Sequence, residues 1–364
     1  MGGRLRHEIL TRSPRDPDAF ATTGRLGHGH SRGVTLHRID PRPRRAIAFT
    51  PMERRREVLV EAAVLADQLG YHAVLIPEGW GFDAGVVLAE IAGRTRHIRL
   101  ATGIASIWGR SPATLAMLAA TIDDLSGGRF TLGLGASTPV LAEGFHGIAF
   151  REPAARLEHT ITAVRRLLRG GRGPAGDSRG VRLGVPTRPD LPIWAAALGP
   201  RTTAVAVRHA DGWCPAMVPL DRLAAVRASA AEPAGADPML VAGPMIAAGA
   251  DAERAVQQLV GWYLTGMGPL YGDFVASLGF AGEVTALRAA NPRPEPGAVA
   301  WPTAADPLLG QLAIAGDPSA VTARLAAWDE QTDVVAACVG PGRPDDVLAA
   351  VDAAAPPVRR TVGS

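Results

Sequence analysis

The stretch that decides the fold is His97–Ser137, which reads HIRLATGIASIWGRSPATLAMLAATIDDLSGGRFTLGLGAS. The apolar run Ile98–Ile104 predicts a strand, the helical spacing of apolar residues over Pro112–Leu125 predicts a helix, and Phe130–Gly135 predicts a second strand. Ser126-Gly127-Gly128 ends the helix, because glycine readily adopts the left-handed conformation of a helix end. The stretch therefore predicts a βαβ unit, with small residues at both strand ends where ligands bind in α/β proteins.

The same alternation of strand and helix recurs along the chain. Eight apolar strands are predicted: Ala46–Phe49, Ala73–Ile76, Ile98–Ile104, Phe130–Gly135, Pro192–Leu198, Asp211–Pro215, Leu240–Ala248 and Val334–Val339. Eight strands alternating with helices predict a closed (β/α)8 TIM barrel with insertions at its C-terminal face. The alternative is an open doubly wound sheet. A GxGxxG turn after the first strand would favour that fold, but the sequence there is Thr50-Pro51-Met52.

Three segments are distinguished by composition and periodicity. Residues 1–44 are rich in Arg, Pro, Gly and His and show no sustained periodicity, so we expect an N-terminal extension that is partly disordered or packed on the outside. Residues 45–355 form the predicted barrel domain. Within it, residues 266–303 break the rhythm and predict an insertion with one or two helices.

The composition excludes several classes of function. The chain of 364 residues contains no lysine, which excludes Schiff-base chemistry, an internal pyridoxal phosphate linkage and a Walker-A lysine. A net charge of +3 with scattered arginines disfavours nucleic-acid binding. No apolar run reaches the roughly 18 residues that span a bilayer. Only Cys214 and Cys338 are present and no secretion signal is seen, so we expect a cytoplasmic protein without membrane association.

Candidate catalytic residues follow the second and fourth predicted strands. Glu78 can act as a general acid or base or bind a substrate, and Trp80 can form one wall of a pocket for a flat ring. Alternatively, Glu78 caps the next helix and Trp80 fills the barrel mouth. His146, in the loop after strand four, is a candidate proton shuttle, although a loop histidine without an identified partner is more often structural or solvated.

Candidate cofactor-binding residues end the third and fourth strands. Gly103 and Ile104 predict a backbone bulge that supports a planar ligand, in a strand that ends at Ser106. The hydroxyl and N–H groups of Ser137 and Thr138 suit a polar ring edge or a ribityl chain. The alternative for this second pair is an ordinary tight turn.

A phosphate site is predicted after the fifth strand. Gly199, Pro200 and Arg201 open a helix there, and free N–H groups, the helix dipole and a guanidinium together favour an anion. The alternative is an ordinary helix start with proline. No HExxH, paired CxxC or nucleophile-elbow motif occurs, so neither a metal site nor a covalent nucleophile is predicted.

Five stretches together resemble the luciferase-like monooxygenase superfamily, and within it the deazaflavin (coenzyme F420)-dependent oxidoreductases. They are IPEGWGFDA (Ile76–Ala84), the opening stretch from Ile98 to Ser137, EGFHGIAF (Glu143–Phe150), PIWAAALGPRTTAVAVRHADGW (Pro192–Trp213) and YLTGMGPLYGDFVASLGF (Tyr263–Phe280). The resemblance covers about Arg45 to Ala354, which is most of the chain.

The resemblance implies a flavin or deazaflavin lying across the strand ends of the barrel. It implies that the bulge at Gly103-Ile104, often with a non-prolyl cis peptide, backs the ring. It places Ser137 and Thr138 at the polar edge or side chain of the cofactor, and the Gly199–Arg201 turn at its phosphate. Glu78 and Trp80 would face the ring and the substrate.

Three functions are left open. The first is an F420-dependent oxidoreductase that transfers a hydride between the cofactor and a small organic substrate. The second is an FMN-dependent monooxygenase that uses reduced flavin and O₂. The third is a non-catalytic barrel that has lost the cofactor, since Ser-Thr-Pro stands after strand four where several deazaflavin dehydrogenases carry a carboxylate. We expect a small-molecule substrate and a homodimer.

Overall fold

The computed structural model describes residues 43–173, 179–231 and 237–357. Within these ranges the strands are β1 (Arg45–Phe49), β2 (Ala73–Pro77), β3 (Arg99–Ser106), β4 (Phe130–Gly135), β5 (Ile193–Ala196), β6 (Gly212–Trp213), β7 (Met239–Ala242), β8 (Met245–Ala248), β9 (Ala313–Gly316) and β10 (Val334–Val339). All their pairings are parallel, and β1 pairs with β10 along its whole length. This pairing closes the barrel, so the predicted (β/α)8 fold is confirmed.

The seventh barrel position is built from two strands. The sequence predicts one strand over Leu240–Ala248, whereas Gly243-Pro244 separates β7 from β8. Both halves pair with β10, which keeps the barrel closed. A Cβ atom on Gly243 would lie 2.3 Å from the carbonyl oxygen of Ala336, so glycine lets the chain pass close to β10 at the break. The short strand β9, which the sequence did not predict, pairs with β8.

The helices lie between the strands along the chain or after the last strand, and the helix predicted over Pro112–Leu125 has those bounds. They are α1 (Arg56–Gln68), α2 (Ala84–Arg94), α3 (Pro112–Leu125), α4 (Pro153–Leu168), α5 (Pro200–His209), α6 (Leu223–Ala231), α7 (Ala252–Thr265), α8 (Pro269–Val275), α9 (Ala281–Ala290), α10 (Asp306–Leu312), α11 (Pro318–Asp329) and α12 (Pro344–Ala353). Gly127 and Gly128 follow α3 with φ angles of +67° and +85°, as the predicted stop requires.

The segment predicted as an insertion forms a second apolar core over part of the barrel mouth. Residues 266–303 contain α8, a π-helical segment (Ala276–Phe280) and α9. Apolar residues of α7 to α10, such as Tyr263, Val275 and Leu287, pack with Met245 of β8 in a cluster of their own. The insertion therefore covers the end of the barrel where β8, β9 and β10 finish.

Two further expectations meet the structure only in part. Of the predicted extension 1–44, only residues 43 and 44 are described. None of the helices in the described ranges combines the length and apolar character needed to cross a bilayer.

Candidate active site

Strand β3 carries the predicted bulge. The span from Ala101 to Ala105 lies opposite the shorter span from Thr131 to Leu134, so β3 holds one extra residue relative to β4. On its other side, β2 pairs with the residues before and after Gly103 and skips Gly103 itself. The extra residue is therefore Gly103, which confirms the bulge. Its predicted role in cofactor binding stays a prediction.

Hydrogen bonds of Thr102 hold this bulge in place. Its hydroxyl accepts a hydrogen bond from the N–H of Gly133 and donates one to the carbonyl oxygen of Gly133, both at 2.8 Å. A Cβ atom on Gly133 would lie 1.9 Å from the carbonyl oxygen of Thr102, and one on Gly135 would lie 2.5 Å from Cγ2 of Ile104. The two glycines of β4 and the bulge of β3 are thus one structural unit.

The peptide geometry at the bulge differs from the expectation. The resemblance implied a non-prolyl cis peptide at Gly103-Ile104, but every peptide bond of the described ranges is trans. One inserted residue already accounts for the shift in register between β3 and its two neighbours.

Glu78 does not present a free carboxylate to the mouth. Its two oxygens accept hydrogen bonds from Nε of Arg110 at 3.0 and 3.2 Å, and one of them also accepts from Nη2 at 2.5 Å. The N–H of Ser106 donates to the same carboxylate at 3.3 Å, and the N–H of Glu78 donates to the carbonyl oxygen of Ile104. The carboxylate therefore joins the β2 loop to the β3 loop, and proton transfer by Glu78 stays a prediction.

Asp83 completes this ion-pair cluster. Nη2 of Arg110 donates to Asp83 at 2.7 Å, and the hydrogen bond to Glu78 is the largest cause that raises the pKa of Arg110. Burial alone would raise the pKa of Asp83, but the Arg110 hydrogen bond and charge outweigh it and lower that pKa. Asp83 also caps α2 by accepting from the N–H groups of Gly85 and Val86, so the helix cap is Asp83 and not Glu78.

Sequence reasoning missed Arg110, although it offered a signal. Arg110 stands in WGRSP directly after β3, within the loop where the C-terminal ends of strands gather functional side chains. A basic residue in the loop next to a carboxylate loop is a candidate ion-pair partner. Weighing Glu78 against the charges of neighbouring loops would have predicted the pair.

Ser106 and Trp108 order the rest of the β3 loop. The buried hydroxyl of Ser106 accepts from the N–H groups of Trp108 and Gly109 at 3.2 Å. The Trp108 indole donates to the carbonyl oxygen of Ala136 at the end of β4, and its ring lies under the guanidinium of Arg156 at 4.6 Å. Ser106 thus fixes the turn at the mouth, and its proton donates no hydrogen bond within the described ranges.

His146 lies beside the same loop. It follows a π-helical segment, Val140–Phe145, and a Cβ atom on Gly109 would lie 2.4 Å from Cε1 of its ring. The ring nitrogens make no hydrogen bond to the described residues. The structure therefore brings His146 and Glu78 to one loop, residues 106–110. Trp80, 36% exposed, borders a cavity of the mouth that none of the other predicted site residues line.

Ser137 is held in a left-handed backbone conformation directly after β4, with φ of +57°. This conformation is uncommon for a residue with a side chain and often occurs at functional sites. The carbonyl oxygen of Thr138 accepts from Leu141 and Ala142, so Thr138 starts the π-helical segment. Both residues are half-buried at the mouth.

The start of α5 has the features of an anion site. Gly199 is the N-cap residue and has no side chain that could cap the helix, and Pro200 occupies the first turn. Arg201 is exposed and has no ion-pair partner within the described ranges. The first-turn N–H groups of a helix lack intrahelical acceptors and carry the positive end of its dipole. Since β5 pairs with β4, this helix start follows the strand next to the one that leads to Ser137.

These residues fit a flat ring with a phosphate-bearing chain. Glycine at Gly103 and Gly135 lets the ends of β2, β3 and β4 pack closely, which fixes the shape of the mouth at this point. The left-handed turn at Ser137 has polar groups, and the N–H groups at the start of α5 with the Arg201 guanidinium have the chemistry that an anion site needs. Chain residues 34–333 match the sequence model of the luciferase-like monooxygenase family. The chain belongs to this family.

Curated relatives of this luciferase-like chain include an enzyme named for coenzyme F420 and a monooxygenase. A protein of Mycobacterium tuberculosis with the provisional name coenzyme F420-dependent oxidoreductase is 36% identical over 172 residues, which are 43% of this chain and 50% of the relative. The 4-hydroxyprotoasukamycin monooxygenase of Streptomyces nodosus subsp. asukaensis is 37% identical over 117 residues, 30% of this chain and 32% of the relative. The chain thus spans half or less of the length of these relatives.

Solved structures share the barrel. The F420-dependent tetrahydromethanopterin reductase from Methanopyrus kandleri aligns with a TM-score of 0.65 at 20% identity, covering 85% of this chain and 97% of that one. The oxygenating constituent of a Pseudomonas putida diketocamphane monooxygenase, in complex with FMN, aligns with a TM-score of 0.60 at 17% identity, covering 86% and 97%. At these identities the likeness shows the fold.

A cavity of this luciferase-like barrel lies on the other side of the mouth. It measures about 720 Å³ and is formed where β8 and β10 end, between α7 and the start of α12. Of the residues predicted for the site, Trp80 alone lines it. In an eight-stranded ring the seventh and eighth positions lie opposite the third and fourth. The cavity therefore faces the Gly103 bulge across the mouth.

Proposed function

We propose that the protein is an F420-dependent oxidoreductase that transfers a hydride between the deazaflavin and a small organic substrate. The observation that carries the proposal is the bulge at Gly103, held by Thr102, at the same end of the barrel as the anion-favouring start of α5. The identity to the Mycobacterium tuberculosis relative supports the choice of F420.

Different residues would bind different parts of the cofactor. Gly103 and Ile104 would support one face of the ring. Ser137 and Thr138 would bind its polar edge or ribityl chain, beside the hydroxyl of Ser106, and the Gly199–Arg201 turn would bind the phosphate. When bound, the deazaflavin supplies the carbon that accepts or gives the hydride.

The protein would contribute orientation and exclusion of water. The Glu78–Arg110 pair would keep the β2 and β3 loops in a fixed relation beside the ring. The ring of His146, which lies against Gly109, is the candidate group for holding a proton. Trp80 would border the space for the substrate.

The second candidate is an FMN-dependent monooxygenase. The Streptomyces relative, a monooxygenase by name, favours it with an identity of 37% over the aligned part. The same residues would hold either cofactor, because both combine a tricyclic ring, a ribityl chain and a phosphate. The difference between the two would lie in the use of O₂.

Titration of the purified full chain with each cofactor tests the proposal. Binding is measured by fluorescence or calorimetry. We expect a micromolar dissociation constant for F420 and weaker binding of FMN. Micromolar FMN binding without F420 binding contradicts the proposal and supports the monooxygenase. Binding of neither cofactor contradicts both and supports a barrel that has lost its cofactor.

The homodimer and the cytoplasmic location stay predictions. Light scattering during gel filtration measures the mass of the assembly, and a mass of one 37.9 kDa chain would contradict the dimer. Likewise, the division into an extension (1–44) and a barrel domain (45–355) predicts that limited proteolysis removes the extension and leaves the barrel intact.

A further inference from the structure

We propose that the 720 Å³ cavity between α7 and α12 binds an amphipathic organic anion with an aromatic or alicyclic body, and that this molecule belongs to the substrate class of the enzyme. The part of this inference that names a substrate rests on the proposed function. The binding itself is independent of it. The volume lies in the range of roughly 300–1,000 Å³ that holds organic ligands of moderate size.

The walls of the cavity are apolar and aromatic. Trp80 and Trp262 contribute indole rings, Met52 contributes a flexible thioether, and Leu259 and Val339 are buried side chains of the wall. Methionine adapts to irregular shapes, and tryptophan offers a broad flat surface. These walls suit a rigid apolar body better than a sugar or a peptide.

Hydrogen bonds hold the walls in place. The amide of Gln258 on α7 donates to the carbonyl oxygen of Val299 and accepts from its N–H, both at 2.7 Å, which fixes the segment that includes Pro296 and Gly297. On the opposite side, Nη2 of Arg55 donates to the carbonyl oxygen of Gly342 at 2.6 Å. One loop is therefore held by α7 and the other by the residue before α1, which fixes two walls of the cavity.

The charged residues of the rim favour an anion. Five charged groups line the cavity: Arg54, Arg254, Arg343, Asp251 and Asp346. Arg343 is engaged with Asp346 through two hydrogen bonds. Arg54 and Arg254 are exposed and form no ion pair within the described ranges. Three arginines against two aspartates leave positive charge in excess, and the two free guanidinium groups suit a carboxylate or a sulfonate.

Two fluorescent probes that share an apolar aromatic ring system and differ in charge test the inference. Anilinonaphthalene sulfonate is an anion, and phenylnaphthylamine is its uncharged counterpart. Each is titrated into the full chain without cofactor. We expect the anion to bind tighter, and the double variant Arg54→Gln/Arg254→Gln to weaken its binding by roughly tenfold. The affinity for the uncharged probe should change by less than about twofold in that variant.

Two further variants control the experiment. Arg182→Gln removes an exposed arginine outside the cavity and should leave both affinities unchanged. Ala255→Trp places an indole at the cavity wall and should weaken both probes. Equal binding of the two probes, insensitivity of both to Ala255→Trp, or an equal response to Arg182→Gln would overturn the inference.

The outcome is separable from that of the proposed function. Probe binding with the expected variant pattern, together with failure to bind F420, would uphold the cavity as an anion site and contradict the proposed oxidoreductase. F420 binding without probe binding would contradict the cavity proposal alone.

Discussion

The two sides of the barrel mouth are built by different means. On the side of β3 and β4, backbone atoms approach closely, glycines are required at Gly133 and Gly135, and polar loops are tied by Glu78 and Arg110. On the side of β8 and β10, apolar side chains enclose a cavity and the charged groups stand at its rim. The first arrangement fixes the positions of backbone atoms through close contacts, whereas the second defines a volume and a polarity.

This difference suits a division of labour. A cofactor has one fixed structure, so a site for it gains from backbone geometry that admits no alternative. A substrate class shares a shape and a charge, which a cavity with an adaptable Met52 can accept. The predictions below test each side of this contrast, beginning with the largest expected effect.

Gly133→Ala should be the most damaging single substitution on the bulge side. Its Cβ would lie 1.9 Å from the carbonyl oxygen of Thr102, and backbone on both strands would have to move. We expect the free energy of unfolding to fall by about 3 kcal/mol or more, measured by urea denaturation. Gly93→Ala, at an exposed site of α2 with nothing within 4 Å, is the matched control and should raise stability by up to about 1 kcal/mol. Similar stability of the two variants would contradict the close approach of the strands.

Arg201→Ala tests the proposed phosphate end of the cofactor site. Loss of a guanidinium that binds phosphate should weaken F420 binding by about 1.5–3 kcal/mol in a calorimetric titration. Arg208→Ala removes an exposed arginine from the last turn of the same helix and should leave the affinity unchanged. An equal effect of both variants would indicate long-range attraction and would remove Arg201 from the site.

Glu78→Gln tests whether the ion pair between the loops is structural. The side chains of Arg110 and Glu78 are 21% and 13% exposed, so loss of the carboxylate charge leaves a partly buried guanidinium with a weaker partner. We expect a loss of roughly 1–2 kcal/mol in stability. The double variant with Arg110→Gln should show a coupling of about 1 kcal/mol in a double-mutant cycle. Glu61→Gln, at an exposed site of α1, is the control, and absence of coupling would contradict the positioning role.

Asp83→Asn should change the acid limb of the stability profile. Because the pKa of Asp83 is lowered in the folded protein, its stabilising effect is present above its ordinary value near 3.8 and is lost as pH falls through the lower folded value. Asparagine caps a helix as well as aspartate does, so the variant isolates the charge. Since the side chain is 46% exposed, we expect only a few tenths of a kcal/mol, seen as a flatter loss of stability below about pH 4. An unchanged profile would contradict the contribution of this charge.

The barrel was predictable because its signals are local. Apolar runs such as Phe130–Gly135, and stops such as Gly127-Gly128, define strands and helix ends within a few residues of sequence. The short strand β9 was missed because four residues, Ala313–Gly316, carry too little pattern. The break at Gly243-Pro244 was missed because apolar residues flank it on both sides.

The features of the site that could be predicted from the sequence are those formed by the backbone within one segment. The bulge at Gly103 follows from a glycine inside a strand, and the start of α5 follows from Gly-Pro-Arg after a strand. The partner of Glu78 lies 32 residues away on another loop, so its ion pair depends on the packing of the two loops. The cavity joins Met52 to Val339, which only barrel closure brings together. For the ion pair the sequence offers only a basic residue in the next loop, and for the cavity it offers no local pattern.

A crystal structure of the protein grown with F420 tests the central claim most directly. The measured quantity is the position of the deazaflavin ring in the difference density. The account predicts the ring against Gly103 and Ile104, with its phosphate at the start of α5 beside Arg201, and the cavity between α7 and α12 free of the ring. Density for the ring inside that cavity, or away from the bulge, would contradict the division of the mouth into a cofactor side and a substrate side.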